Sequence, residues 1–347
     1  MSRSRAWAEL LRLPALFTVP GDALSGAAAV GARPDSRALL AIGSSLCLYE
    51  AGMALNDWAD RAEDAAERPQ RPLPSGRVHP AAAFTAACAL TGAGLALAAR
   101  AGRPALTVAV PLAATVWAYD LALKHTPCGP AAMATARALD LVLGAAATGG
   151  RTRAALPSAA LLGTHTLAVT VVSRQETKGG SPLAPLAALT TTALLSRLLA
   201  HRPAGVPLDS SSGTAPDGAD GEATAPSRPV MSGPLPATAE PAAADRLRPA
   251  HARRTTPPRS ADSAWSPARA LTTTLAATYA ATAARPYFHA TLNPSPPLTQ
   301  RAVGGGIRAT IPLQAALTAR SGAGLTALLI AGLAPLGRRF GRKVSVT

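Results

Sequence analysis

Charge is scarce in this chain and aromatic rings are scarcer: of 347 residues, 15% are Asp, Glu, Lys or Arg and 3% are Phe, Trp or Tyr. Charged residues make up about a quarter of an ordinary soluble protein, so this composition excludes a typical soluble domain. Three cysteines, Cys47, Cys88 and Cys128, show no paired or metal-type spacing, which excludes a disulfide framework and a zinc module. A net charge of +15 would suit nucleic acid, but the basic residues stand mostly singly or in pairs, at segment ends and in one linker. With no basic helix and no aromatic-studded strand pair, a nucleic-acid reader is excluded as well. Loop arginines near anionic lipid headgroups account for the charge. No second copy of the charged stretch 56–78 occurs, which argues against the repeated halves of a secondary transporter.

What is present is apolar sequence in long runs, 48% of the chain. A helix that crosses a bilayer needs roughly 20 mostly apolar residues. That rule predicts spans near 10–31, 37–55, 80–99, 104–123, 129–149, 155–172, 182–200, 264–284 and 310–335, the last tilted or broken near Ser321-Gly322. The basic N-terminus leads into an apolar stretch longer than a signal peptide, so it reads as the first membrane helix. Small residues dominate every span, as suits close helix packing in lipid. Asp22, Glu50, Arg137 and Asp140 fall within or near the spans, where an ionisable group is expected to face an interior cavity.

Three regions result: 1–200 with seven helices, 201–262 rich in Pro, Ala, Ser and Gly, and 263–347 with two helices and a basic tail. The middle region has almost no large apolar residue and reads as a disordered linker. The fold class is therefore an all-α, polytopic transmembrane bundle of eight to nine helices around a central cavity. Loop arginines and lysines only weakly favour a cytosolic N-terminus and cytosolic motif loops in a plasma membrane protein.

The densest cluster of charge is "NDWADRAEDAAERPQRPLPSGRV", residues 56–78, which directly follows an apolar run. On one helix Asn56, Asp60 and Asp64 are successive i, i+4 neighbours flanked by Asp57, and Glu63 lies beside that arc. Acids in register repel one another unless a cation lies among them. Hard anionic oxygens suit Mg²⁺, which prefers a few carboxylates plus water and phosphate oxygens. Arg68, Arg71 and Arg77 follow in a proline-rich turn that would fold their guanidiniums back over the acids. Arginine forks match phosphate oxygens, so metal and arginines together would cradle a diphosphate.

Residues 51–78 resemble the first aspartate-rich motif of the UbiA superfamily of intramembrane prenyltransferases, N-D-x-x-D-x-x-x-D, with its trailing R-P-x-P-S-G. The resemblance implies that Asn56, Asp57, Asp60 and Asp64 hold Mg²⁺ and a prenyl diphosphate, with the three aspartates as the catalytic set and Arg68 and Arg71 on the phosphates. "WAYDLALKHTPCGP" resembles the family's Y-x-x-x-x-K segment, which implies that Lys124 binds phosphate and Tyr119 lines the cavity; a snorkelling lysine would look the same. Asp120 has no assigned role. "AAMATARALDLVLGAA" resembles the family's fifth helix, whose Arg137 and Asp140, at i, i+3, either pair or face the cavity.

The second aspartate-rich motif corresponds to "VVSRQETKGG", where Glu176 is the one carboxylate, between Arg174 and Lys178. Either Glu176 holds a metal with the diphosphate's help, or Arg174 and Lys178 replace that metal on the phosphates, or catalysis is lost. The family's reaction breaks an allylic C1–O bond and needs a dry cavity in which the cation meets its acceptor before water. Trp58, Trp117 and Tyr119 are the nearest rings that could steady it. The reading implied is a Mg²⁺-dependent prenyltransferase acting on a prenyl diphosphate and a small-molecule or lipid acceptor in the bilayer. The alternative is a non-catalytic UbiA-like binder of isoprenoid or diphosphate, acting in export or assembly.

Overall fold

A computed structural model describes residues 3–150, 152–176, 180–201 and 266–344, without the side chains of residues 3, 13–15 and 340–344. Lys178 and nearly all of the expected linker at 201–262 lie outside the described residues. Among the described residues there are twelve α-helices and no strand.

α1 covers Arg3–Leu10, α2 Pro20–Ala29, α3 Ser36–Ala59 and α4 Arg61–Glu67. α5 covers Pro80–Ala101, α6 Arg103–Ala118, α7 Gly129–Thr148, α8 Leu156–Ser173 and α9 Leu183–Ala200. α10 covers Pro267–Leu292, α11 Pro296–Arg320 and α12 Gly324–Val344. Their starts follow from local chemistry. Asp35 caps α3 by accepting from the Ala38 amide at 2.9 Å. Pro80, Pro130, Pro157, Pro267 and Pro296 sit in first turns, where the missing N–H costs nothing.

Among the described residues, six helical stretches are long and apolar enough to cross a membrane: Ser36–Ala59, Pro80–Ala101, Arg103–Leu123, Gly129–Thr148, Thr152–Ser173 and Leu183–Ala200. Two predicted spans are interrupted. The span at 10–31 breaks at Arg12, whose backbone is left-handed at φ 49°, and again at Pro20. Its remainder, α2, is ten residues long and about 15 Å, a half-helix enclosed by α7 and α11. The span at 310–335 is two helices, parted where Gly322 takes φ 87°, a conformation glycine adopts without strain.

Glycine also sets the closest crossing. A Cβ on Gly144 would lie 2.1 Å from the Ala23 carbonyl oxygen, and one on Gly26 would lie 1.9 Å from that of Leu141. α2 and α7 therefore touch backbone to backbone, the small-residue contact that replaces the hydrophobic effect inside lipid. One core runs through α7 to α12, centred on Leu141, Leu162, Leu199, Tyr279 and Leu313. A second joins α3, α5, α6 and α7 through Leu48, Leu112 and Leu143. Leu183, Leu325 and Leu329 stay more than two-thirds exposed, as expected of side chains that face lipid.

Candidate functional site

The helix that carries the acidic motif closes at Ala59 and reopens at Arg61, with Asp60 between at φ −85°, ψ 3°. The run expected as one helix is thus bent at Asp60. Backbone bonds nevertheless continue from Asp60 to Asn56 at 2.9 Å and from Asp64 to Asp60 at 2.8 Å. The i, i+4 register survives the bend.

Each aspartate of the motif meets a cation. Asp57 Oδ1 accepts from Arg12 at 3.2 Å and lies 3.8 Å from Arg71. Asp64 takes Arg71 at 2.7 Å and has Arg68 at 3.6 Å. Asp60 is ion-paired with Lys124, and His125 Nε2 stands 3.8 Å away. Asp57 and Asp64 are 4% and 3% exposed, whereas the arginines that meet them keep part of their side chains in solvent, so each pair sets a buried carboxylate against a half-open guanidinium. Asn56 donates to Asp120 at 3.0 Å, which leaves its own amide oxygen free of that bond.

Inward from these pairs lies a cavity of about 270 Å³ between α3, α6 and α7. Arg12, Asn56, Tyr119 and Asp120 line its motif end. Leu48, Gly52, Met53, Leu112, Val116, Met133 and Ala136 make an apolar middle, and Ser45, Arg137 and Asp140 a polar floor. α6 ends in a wide turn over Tyr119–Leu123, where the Lys124 amide reaches the Tyr119 carbonyl at 2.9 Å. Such π-type turns concentrate at functional sites.

Other expected placements differ. Arg77 does not fold over the acids: its guanidinium is taken up by two bonds to Glu9 of α1, at 2.7 and 3.1 Å, and one to the Gln70 carbonyl. Trp58 and Trp117 pack with Phe84 of α5, at ring separations of 4.7 and 6.0 Å, and line no part of the cavity. Tyr119 does. Arg137 and Asp140 line the cavity without an ion pair between them: Arg137 holds Asp22 at 2.9 Å, and Asp140 accepts from Ser45. Asp22 and Glu50 are buried but do not line the cavity.

The second loop is partly described. Arg174 donates to the Thr126 carbonyl beside the Lys124–His125 segment. Glu176 is half-buried, and burial raises its carboxyl above the usual value while the Arg68 charge opposes that rise. Sequence reasoning missed Arg12, a lone basic residue in an apolar stretch that gave no sign of its left-handed turn. It also missed His125, whose ligand atom gathers with those of Asp60 and Glu63 within 4.8 Å of one another.

A model of the UbiA prenyltransferase family matches residues 16–200, more than half of the chain. The digeranylgeranylglyceryl phosphate synthase of Methanopyrus kandleri is 36% identical over 130 residues, 35% of this chain and 45% of that protein. Its namesake from Natronomonas pharaonis is 31% identical over 179 residues, 51% of this chain and 64% of the relative. The matches thus span about half the length of these curated relatives. Among solved structures, an apo UbiA homologue from Aeropyrum pernix K1 superimposes with a TM-score of 0.55 at 15% identity, over 87% of this chain and 96% of that one. A digeranylgeranylglyceryl phosphate synthase structure gives 0.53 at 15% identity, over 92% and 99%. At that identity the likeness concerns the fold. The family match and the six membrane-length helices together make this an integral, multi-pass membrane protein that belongs to the UbiA prenyltransferase family.

Proposed function

We propose that this protein is an intramembrane prenyltransferase that moves a prenyl group from an allylic diphosphate to a lipid-like acceptor. The observation that carries the reading is the pairing at the cavity mouth: Asp57 with Arg12, Asp60 with Lys124 and Asp64 with Arg71, above apolar walls. The donor set fits Mg²⁺, since three carboxylates and the Asn56 amide oxygen are hard ligands grouped on successive turns. Asn56, Asp57, Asp60 and Asp64 would hold it, with Glu63 and His125 beside Asp60.

Bound there, Mg²⁺ would offset the charge that develops on the departing diphosphate. The chain's own residues do the rest. Arg12, Arg71 and Lys124, which pair with those carboxylates, would bind phosphate oxygens once the carboxylates hold the metal. Arg68 and Arg174 flank the same opening, and Glu176 joins it through Arg68. Leu48, Val116 and Met133 keep water from the reacting carbon. The relatives' names make a geranylgeranyl-bearing glyceryl phosphate the first acceptor to try.

The test is Mg²⁺-dependent diphosphate release from geranyl, farnesyl and geranylgeranyl diphosphates in nanodiscs, with acceptor present and an Asp60→Ala control. Release that needs both Mg²⁺ and Asp60 supports transfer. The lone carboxylate of the second loop favours one other reading, a non-catalytic isoprenoid or diphosphate binder. Saturable binding without turnover, unaffected by Glu176→Ala, would select that one.

A further inference from the structure

The reaction proposed above releases a proton from the acceptor, and no residue of the aspartate-rich motif is free to receive it. Asp57, Asp60 and Asp64 each carry a cation partner. Two other carboxyl groups line the cavity, those of Asp120 and Asp140. Asp140 is on the floor, where Ser45 donates to it. Ser45 and Asn56 are eleven residues apart on α3, about 16 Å along the axis. The carbon under attack is one bond from the diphosphate and so must lie at the motif end, which places Asp140 out of reach.

Asp120 is at that end, 3% exposed, held through Oδ1 by the Asn56 amide at 3.0 Å. Its Oδ2 receives no hydrogen bond from any described residue and lies toward Gly52, where an added Cβ would come within 3.8 Å of it. Gly52 and Asp120 both line the cavity, so the carboxyl group that Asn56 holds by one oxygen is part of the wall an acceptor would meet.

Resting on the prenyltransferase reading, we propose that Asp120 is the catalytic residue that accepts the acceptor's proton, and that the acceptor presents a hydroxyl group. The acceptor oxygen forms a bond to C1, the C1–O bond to diphosphate breaks with its electron pair leaving on diphosphate, and the hydroxyl proton passes to Asp120 Oδ2. No electron is gained or lost by the protein. Asn56 thereby couples the two halves of the site, as a member of the acidic motif whose amide donates to the base.

The experiment compares wild type, Asp120→Asn and Asp120→Glu in nanodiscs with Mg²⁺ and geranylgeranyl diphosphate. Geranylgeranylglyceryl phosphate serves as acceptor or, where wild type does not prenylate it, a membrane lipid extract. Transferred product and geranylgeraniol are counted separately, and affinity for unreactive geranylgeranyl thiolodiphosphate is measured in parallel. Asn keeps the oxygen that accepts from Asn56, so affinity should stay within threefold while transfer falls about 100-fold or more, the usual contribution of a positioned base. Released diphosphate should then accompany geranylgeraniol instead of product, and Asp120→Glu should restore part of the transfer.

Transfer by Asp120→Asn within tenfold of wild type overturns the assignment, and so does an equal loss of affinity. Asp120→Ser is the second variant, should Asp120→Asn not fold: it removes the carboxylate but keeps a group that can accept from Asn56, so transfer should fall as far with analogue affinity spared, and unchanged transfer overturns the proposal. Wild type that neither binds the analogue nor releases diphosphate refutes the prenyltransferase reading itself and takes this one with it.

Discussion

Arg137 Nε lies 2.9 Å from Asp22 Oδ2, although Asp140 is one turn further along the same helix. The same guanidinium donates to the Thr18 carbonyl at 3.0 Å, and Gln314 of α11 donates to the other oxygen of Asp22 at 2.6 Å. Asp22 is fully buried. One ion pair therefore ties the half-helix α2 to α7 and, through Gln314, to α11.

Removing Arg137 should strand that carboxylate. Breaking a buried pair from one side costs about 3–5 kcal/mol, so Arg137→Met should lower Tm sharply in detergent. Asp22→Asn combined with Arg137→Met should recover most of the loss, because the uncompensated charge is gone. Equal Tm for the single and double variants would show that the pair does not hold α2.

Arg77 separates the reading of the motif from its geometry. Its guanidinium is spent on Glu9, so Arg77→Ala should leave Mg²⁺-dependent diphosphate release within about threefold of wild type. Stability should change by less than about 1 kcal/mol, as for other surface pairs. Arg71→Ala, which uncovers Asp64 and Asp57 together, should instead abolish most release. A loss at Arg77 as large as at Arg71 would contradict the structure.

The α2–α7 crossing predicts a contrast between two glycines. Gly144→Ala forces a Cβ against the Ala23 backbone at 2.1 Å and should destabilise by about 2 kcal/mol or more, in the range of overpacked cores. Gly92→Ala meets nothing within 4 Å in the middle of α5 and should stabilise by about 0.5–1 kcal/mol. Thermal unfolding of the two variants side by side checks both signs.

Glu176 predicts a pH effect. Burial raises its carboxyl above 4.5, with Arg68 opposing, so the folded state holds this proton more tightly than the unfolded chain does. Its contribution to stability is fully present below the unfolded value and is lost as pH rises through the folded one. Glu176→Gln should match wild-type Tm near the acid end and exceed it at neutral pH. A difference that shrinks on raising the pH would show that Arg68, not burial, dominates at this carboxyl.

The class of this protein and the register of its acidic motif were legible in the amino-acid sequence alone. Apolar runs of bilayer length require helices, because lipid supplies no partner for an unpaired backbone group. The carboxylates of 57–64 are local, so an i, i+4 rule recovers their register even across the bend at Asp60. What each polar group of the site meets was set by the packing of the helices. Arg12 reaches Asp57 across 45 residues, Asn56 reaches Asp120 across 64, and Gln314 reaches Asp22 across 292. In each case the partner is chosen by which helices pack side by side, and that depends on where glycine lets backbones touch. A polar group inside a membrane takes a partner that is near in space, which need not be near along the chain.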